Sequence, residues 1–184
     1  MKEHILVTAV GEDRPGIVSR LAEVITRNGA NLEDSRMTVL GGEFAAIALV
    51  TVAPAKLADL LKDLESLSKE KISVSTKKTK APDASRHKGY STFQVCLTGA
   101  DHEGIVHKIS SYLKAQNINI QSMETELVPA PETGTPLFSM NAIVSVPPEI
   151  SFKKLNEDLD ALGQEEAVDV DVAAYIEAGQ EVGV

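Results

Sequence analysis

The chain has 184 residues, 43% of them apolar and 24% charged, with a net charge of −9 and a sequence pI near 4.9. That length allows one domain or two small ones, and the composition is that of an ordinary globular protein rather than a disordered chain. The acidic balance argues against a surface that tracks nucleic-acid phosphates, and a single cysteine, Cys96, excludes an internal disulfide.

The N-terminal run "MKEHILVTAV" reads as an apolar strand. No small-residue cleavage site follows it, so no signal peptide is expected. No apolar stretch nears the roughly 18 residues that a membrane span needs. A cytoplasmic protein without membrane contact is therefore expected, and Cys96, inside "FQVCLT", reads as a small buried hydrophobe suited to a reducing compartment. Tryptophan is absent and aromatics make up only 4% of the chain, so Ile, Val, Leu and Ala must fill the core.

After that strand comes "GEDRPGIV" from Gly11, and then Ile17, Val18, Leu21, Val24 and Ile25 at helical spacing. Gly29 should end this helix in a left-handed conformation. A strand follows over 31–40, then a Gly41-Gly42 hairpin and the strongly apolar strand "FAAIALVTV" from Phe44. Leucines 57, 60, 61 and 64 predict a second helix, and "KISVSTKK" a last strand.

The chain then starts again. "GADHEGIV" from Gly99 repeats the skeleton Gly-x-Asp-x-x-Gly-Ile-Val, and aligning Gly99 with Gly11 superposes Asn119 on Asn31. Ile105, Val106, Ile109, Tyr112 and Leu113 form the matching helix, closed by Asn117 in the place of Gly29. A strand over 119–128, a long connection at 129–136, the apolar strand from Leu137, a helix with Phe152, Leu155, Leu159 and Leu162, and the strand "EAVDVDVAAY" complete the copy.

The order is β-α-β-β-α-β, twice, which predicts an α+β protein of two ferredoxin-like domains. Each should be a four-stranded antiparallel sheet, in the order 4-1-3-2, with two helices on one face. The expected boundaries are a first domain at 1–78, a polar linker at 79–89, a second domain at 90–176 and a frayed tail at 177–184. The stretch 77–89, "KKTKAPDASRHKG", is the most densely basic of the chain and reads as a solvated tether.

The repeated turn has a plain structural reading. Glycine permits a tight connection, Asp13 or Arg14 could cap the helix, and Pro15 suits a helix's first turn. It also has a functional reading. Gly16 and Gly104 would let a ligand approach the backbone, where the N–H groups of the helix's first turn meet an anionic group. Asp13 and Asp101 could meet an ammonium and Arg14 a carboxylate, while Asn31 and Asn119 each offer a donor and an acceptor to a zwitterion.

A hydrophobic strand, then D-R-P-G-I-V, a helix closing on N-G-A-N, and this element order resemble the ACT domain, a module that binds amino acids and regulates metabolic enzymes and transcription. The resemblance covers about 1–78 and 90–175. Two such domains and little else is similar to the layout of the glycine cleavage system transcriptional repressor family. The resemblance implies a ligand where paired ACT domains meet. It would touch Asp13, Arg14, Pro15, Gly16 and Ile17 with Asn31 and Leu32, and Asp101, His102, Gly104 and Ile105 with Asn119 and Ile120. The second copy departs from the pattern, with Glu103 in the proline position.

"HEGIVH" at 102–107 is not a zinc helix, since its histidines lie five apart, about 140° around a helix, instead of four. The paired basic and aromatic residues of an RNA-binding sheet are missing, as are C-x-x-C, a Walker loop, G-x-G-x-x-G and G-x-S-x-G. No metal, cofactor or catalytic residue is expected. The reading is a non-catalytic regulator that binds a small amino acid and controls a protein partner, such as a transcription regulator of glycine metabolism. It would be a homo-oligomer that does not bind nucleic acid directly. The alternative is a regulatory or oligomerisation subunit of an amino-acid or one-carbon enzyme.

Overall fold

The computed structural model describes residues 2–81, 83, 88–130 and 134–175. The chain divides into two compact units, Met1–Asp83 and Ala84–Val184. The linker expected at 79–89 and the connection expected at 129–136 lie partly outside the described residues, and the tail expected at 177–184 lies wholly outside them.

The first unit runs β1 (Glu3–Glu12), α1 (Ile17–Arg27), β2 (Asn31–Leu40), β3 (Glu43–Val52), α2 (Leu57–Ser66) and β4 (Ile72–Thr79), with short 3-10 turns at Pro54–Lys56 and Leu67–Glu70. Its sheet has the order β2-β3-β1-β4 and is antiparallel throughout. Strand alternation places Ile5, Val7 and Ala9 on one face, in register with Val50, Ala48 and Ala46. Leu21, Val24 and Ile25 of α1 and Leu60 and Leu64 of α2 pack on that face and are buried with it. Each such side chain contributes about 1.5–3 kcal/mol by leaving water. The β2–β3 hairpin turns on Gly41 and Gly42 at φ 62° and 84°, the paired left-handed residues that a two-residue hairpin requires.

The second unit repeats the order with β5 (Ser91–Ala100), α3 (Ile105–Ala115), β6 (Asn119–Pro129), β7 (Pro136–Val146), α4 (Phe152–Glu166) and β8 (Val168–Ala174). Its sheet order is β6-β7-β5-β8, and its core gathers Val95, Leu97, Ile109, Leu113, Leu155 and Leu159. Both units are therefore ferredoxin-like and α+β, with the helices on one face of a four-stranded sheet. The most apolar strands lie at the centre of each sheet because only there are both neighbours strands.

The helix ends behave as expected at Gly29 (φ 64°) and Asn117 (φ 56°). Three packing expectations do not hold. Val18 and Val106 are 44% and 39% exposed, because they follow the buried Ile17 and Ile105 by one residue and so turn away from the core. Phe152 is likewise largely exposed and lies against Phe93, ring centroids 5.5 Å apart. Cys96 is only half-buried, since its side chain points to the face of β5 away from the helices, beside Asn141.

Candidate ligand-binding site

The repeated turn lies where β1 hands over to α1. Asp13 N–H donates to Gly42 C=O (3.0 Å), which fastens the turn to the hairpin. Gly16 then takes φ 94° and is itself the N-cap of α1, with no side-chain hydrogen bond to the helix end. Asp13 therefore does not cap α1, and Pro15 precedes the helix instead of opening its first turn. The second unit repeats the geometry, with Gly104 at φ 96° as the N-cap of α3 and no side-chain cap. A glycine has no side chain with which to satisfy the first-turn N–H groups, so no capping side chain screens the positive end of either helix, although Ile17 N–H turns back to Arg14 C=O (3.4 Å).

A groove of about 450 Å³ opens beside the first turn, between the start of α1 and β2. Asp13, Arg14, Gly16, Ile17 and Val18 form one wall, and Met37, Thr38, Val39 and Phe44 the other. Met37 and Val39 pair with Ala46 and Phe44 and so share the helix-bearing face. Because β2 is an edge strand that α1 does not cover, they remain 37% and 52% exposed. One end of the groove thus offers backbone N–H groups and a carboxylate, and the other an apolar floor.

Asn31 is not in this groove. It pairs with Thr51 at one end of the sheet, whereas Gly11, at the turn, pairs with Phe44 at the other. Seven residues along β3 separate the two ends, roughly 23 Å at a strand's rise. Helix α1 carries the chain back across the sheet before β2 starts, so Asn31 and Leu32 cannot meet the turn of their own unit. Asn119 and Ile120 stand in the same relation to Gly104, paired with Ser145 and Val144, and line a separate depression of about 350 Å³ with Ser110, Lys114 and Asn117.

At its own end Asn31 donates to Glu33 Oε1 (3.0 Å), and the Thr51 hydroxyl donates to the same oxygen (2.7 Å). These bonds, Thr51's foremost, hold the Glu33 carboxyl below the usual carboxylate range. In the second unit Gln121 replaces the acid and donates to Ser145 Oγ (2.5 Å).

Of the residues that hold the two turns in place, Arg14 and His102 stand among the sequence candidates, whereas Arg20, Glu70, Lys108 and Glu166 do not. In the first unit Arg14 Nη2 donates to the backbone oxygen of Glu70 (2.7 Å). The Glu70 carboxylate accepts from Arg20 at Nη2 (2.7 Å) and Nε (2.9 Å). This pairing lowers the proton affinity of Glu70 and raises that of Arg20. In the second unit His102 takes the place of Arg14, with Nε2 2.9 Å from Glu166 O, and Lys108 takes the place of Arg20, bonded to the Glu166 carboxylate. Hydrogen bonding to the backbone oxygens of Glu166 and Glu103 holds the His102 imidazole above its ordinary value. Each clamp ties the β–α turn to the corner before the unit's last strand. One signal was available: Arg20 and Lys108 both lie four residues after the motif's second glycine, and Glu70 and Glu166 both stand just before the final strand.

The sequence pattern of the ACT domain family matches residues 3–75, nearly the whole first unit. A UPF0237 protein of Methanocaldococcus jannaschii is 38% identical over 69 residues, which are 36% of this chain and 77% of that protein. The chain belongs to the ACT domain family. The glycine cleavage system transcriptional repressor of Escherichia coli is 24% identical over 192 aligned positions, spanning 100% of this chain and 97% of that one. Both ACT units also have a structural counterpart in a protein of Galdieria sulphuraria, 28% identical with a TM-score of 0.77 over 96% of this chain and all of that one. Among the described residues no helix of either ACT unit is long and apolar enough to cross a membrane, and no three of His, Cys, Asp or Glu cluster as metal ligands would.

Proposed function

We propose that this is a non-catalytic regulatory protein that binds a small amino acid at its ACT units and thereby controls a protein partner in transcriptional regulation of amino-acid metabolism. The observation that carries the reading is the groove beside Gly16. Its left-handed glycine opens an uncapped helix end to a carboxylate, Asp13 stands beside it for an ammonium, and Met37, Val39 and Phe44 line the apolar wall. A groove of about 450 Å³ has room for a small amino acid with space to spare. The full-length match to a glycine cleavage repressor supports the regulatory role and makes glycine the first ligand to test. The net charge of −9 supports action through a protein partner rather than directly on DNA.

Since Asn31 lies at the far end of its own unit, it would reach a ligand only when another ACT unit is laid alongside, as in a homo-oligomer. Titration calorimetry with glycine and other small amino acids tests the reading. One should bind, and Asn31→Ala should weaken it by about 1–3 kcal/mol, the loss when a buried polar group goes unpaired. The variant should still fold, because Thr51 keeps its bond to Glu33. If no amino acid binds the wild type, the reading fails.

A further inference from the structure

The two turns are built alike except for the group that clamps them. Arg14 reaches the carbonyl of Glu70 with a guanidinium that stays charged at every accessible pH. At the same place in the second unit both ring nitrogens of His102 face carbonyl oxygens: Nε2 lies 2.9 Å from Glu166 O and Nδ1 3.3 Å from Glu103 O. A neutral imidazole has one N–H and one lone pair, so only the imidazolium can donate to both. Loss of the proton turns one of the two contacts into lone pair against lone pair. The longer one, to Glu103, is the one to go, and Glu103 O belongs to the peptide that enters the left-handed Gly104.

We propose that the second turn is a protonation-gated version of the first, fixed by the His102 imidazolium bridging Glu103 and Glu166 and loosened when that imidazolium loses its proton. The charged groups around the ring are consistent with this. From the end of α4 the Glu166 carboxylate, only 4% exposed, has Oε2 3.8 Å from Nε2 and favours the cation. From α3, Lys108 pairs with the same carboxylate and opposes it, while Asp101 and Glu103 flank the ring along the chain. The raised proton affinity of His102 has the same sign. The clamp is fully present below the ordinary histidine value of about 6.5 and is lost as pH rises through the higher value of the folded state. The consequence for ligand rests on the amino-acid reading above: the second site would weaken with rising pH through this range while the first would not.

The test is an NMR titration of the full chain without ligand, the His102 ring signals being identified by their loss in His102→Arg. His102 should titrate above about 6.5, and the amides of 101–105 should move with the same midpoint while those of Asp13, Arg14, Gly16 and Ile17 stay still. His102→Arg, which keeps a donor to Glu166 O and cannot titrate, should abolish the movement. An ordinary midpoint, still amides at 101–105, or movement that survives in His102→Arg would overturn the proposal. Every arm is read without ligand, so calorimetry that found no amino acid bound would remove the ligand reading alone.

Discussion

Gly99→Val should destabilise the second unit by about 3 kcal/mol, the upper part of the range for forcing extra atoms into a packed site. A Cβ at Gly99 would lie 2.5 Å from Val168 Cγ1 and 2.8 Å from Val168 Cα, well inside contact distance. Neither neighbour can retreat. Gly99 sits on the central strand of its sheet, in register with Phe138 on β7 and Val168 on β8, so moving its backbone breaks both ladders. Gly11 has the same surroundings in the first unit, where a Cβ would meet Lys71 O at 2.8 Å. Thermal melting followed by the methyl signals of Val95 and Leu97 would show a fall of roughly 12 °C or more. A melting point within a degree or two of the wild type would mean that β8 has room to shift, and the packing argument would be lost.

That result bears on why the motif recurs. Its two glycines serve different ends. Gly11 and Gly99 are demanded by the close approach of the last strand, a packing requirement that any ligand-free domain of this shape would share. Gly16 and Gly104 are demanded by backbone conformation, at φ 94° and 96°, with nothing within 4 Å of an added Cβ. Only the second pair leaves open space at a helix end.

The repeat made the fold legible. Strand and helix periodicities were plain in each copy, and two copies in the same order fixed the element order and hence the sheet order. Side-chain direction on β2 was harder to read, because the register shifts between Leu32 and Asp34 and a one-residue shift exchanges the faces of every residue after it. Thus Met37 and Val39, which floor the groove, gave no sign of their role. Asn31 lies far from the turn of its own unit for a topological reason: a helix that follows a strand must run back across the sheet, and eleven residues of α1 carry the chain about 16 Å away. Glu70 and Glu166 stayed hidden because their partners Arg20 and Lys108 lie far away in sequence, and neither acid belongs to a motif. The repeat alignment places Arg20 and Lys108 in equivalent positions, and Glu70 and Glu166 each stand two residues before the last strand of their unit, but only the fold shows that they touch.

Gly16→Val should weaken amino-acid binding to the first unit by more than tenfold, and the cause should be backbone strain at least as much as bulk. The added Cβ would meet no atom within 4 Å, so the fold does not exclude it sterically. What it meets is its own backbone: a β-branched residue at φ 94° is a genuine outlier, and the left-handed region costs an ordinary L-residue about 1–2 kcal/mol. The turn relieves that strain by rotating toward negative φ, which swings the first N–H groups of α1 away from the groove. Gly16→Asn separates the two causes. Asparagine tolerates the left-handed region far better than valine while adding a side chain of similar size. If conformation rules, Asn at this position should keep most of the affinity and nearly all of the melting temperature, and Val should lose both. Calorimetry and thermal melting on the pair decide it. Equal losses of affinity in the two variants would show that the space in front of Gly16, rather than its backbone angle, is what a ligand needs.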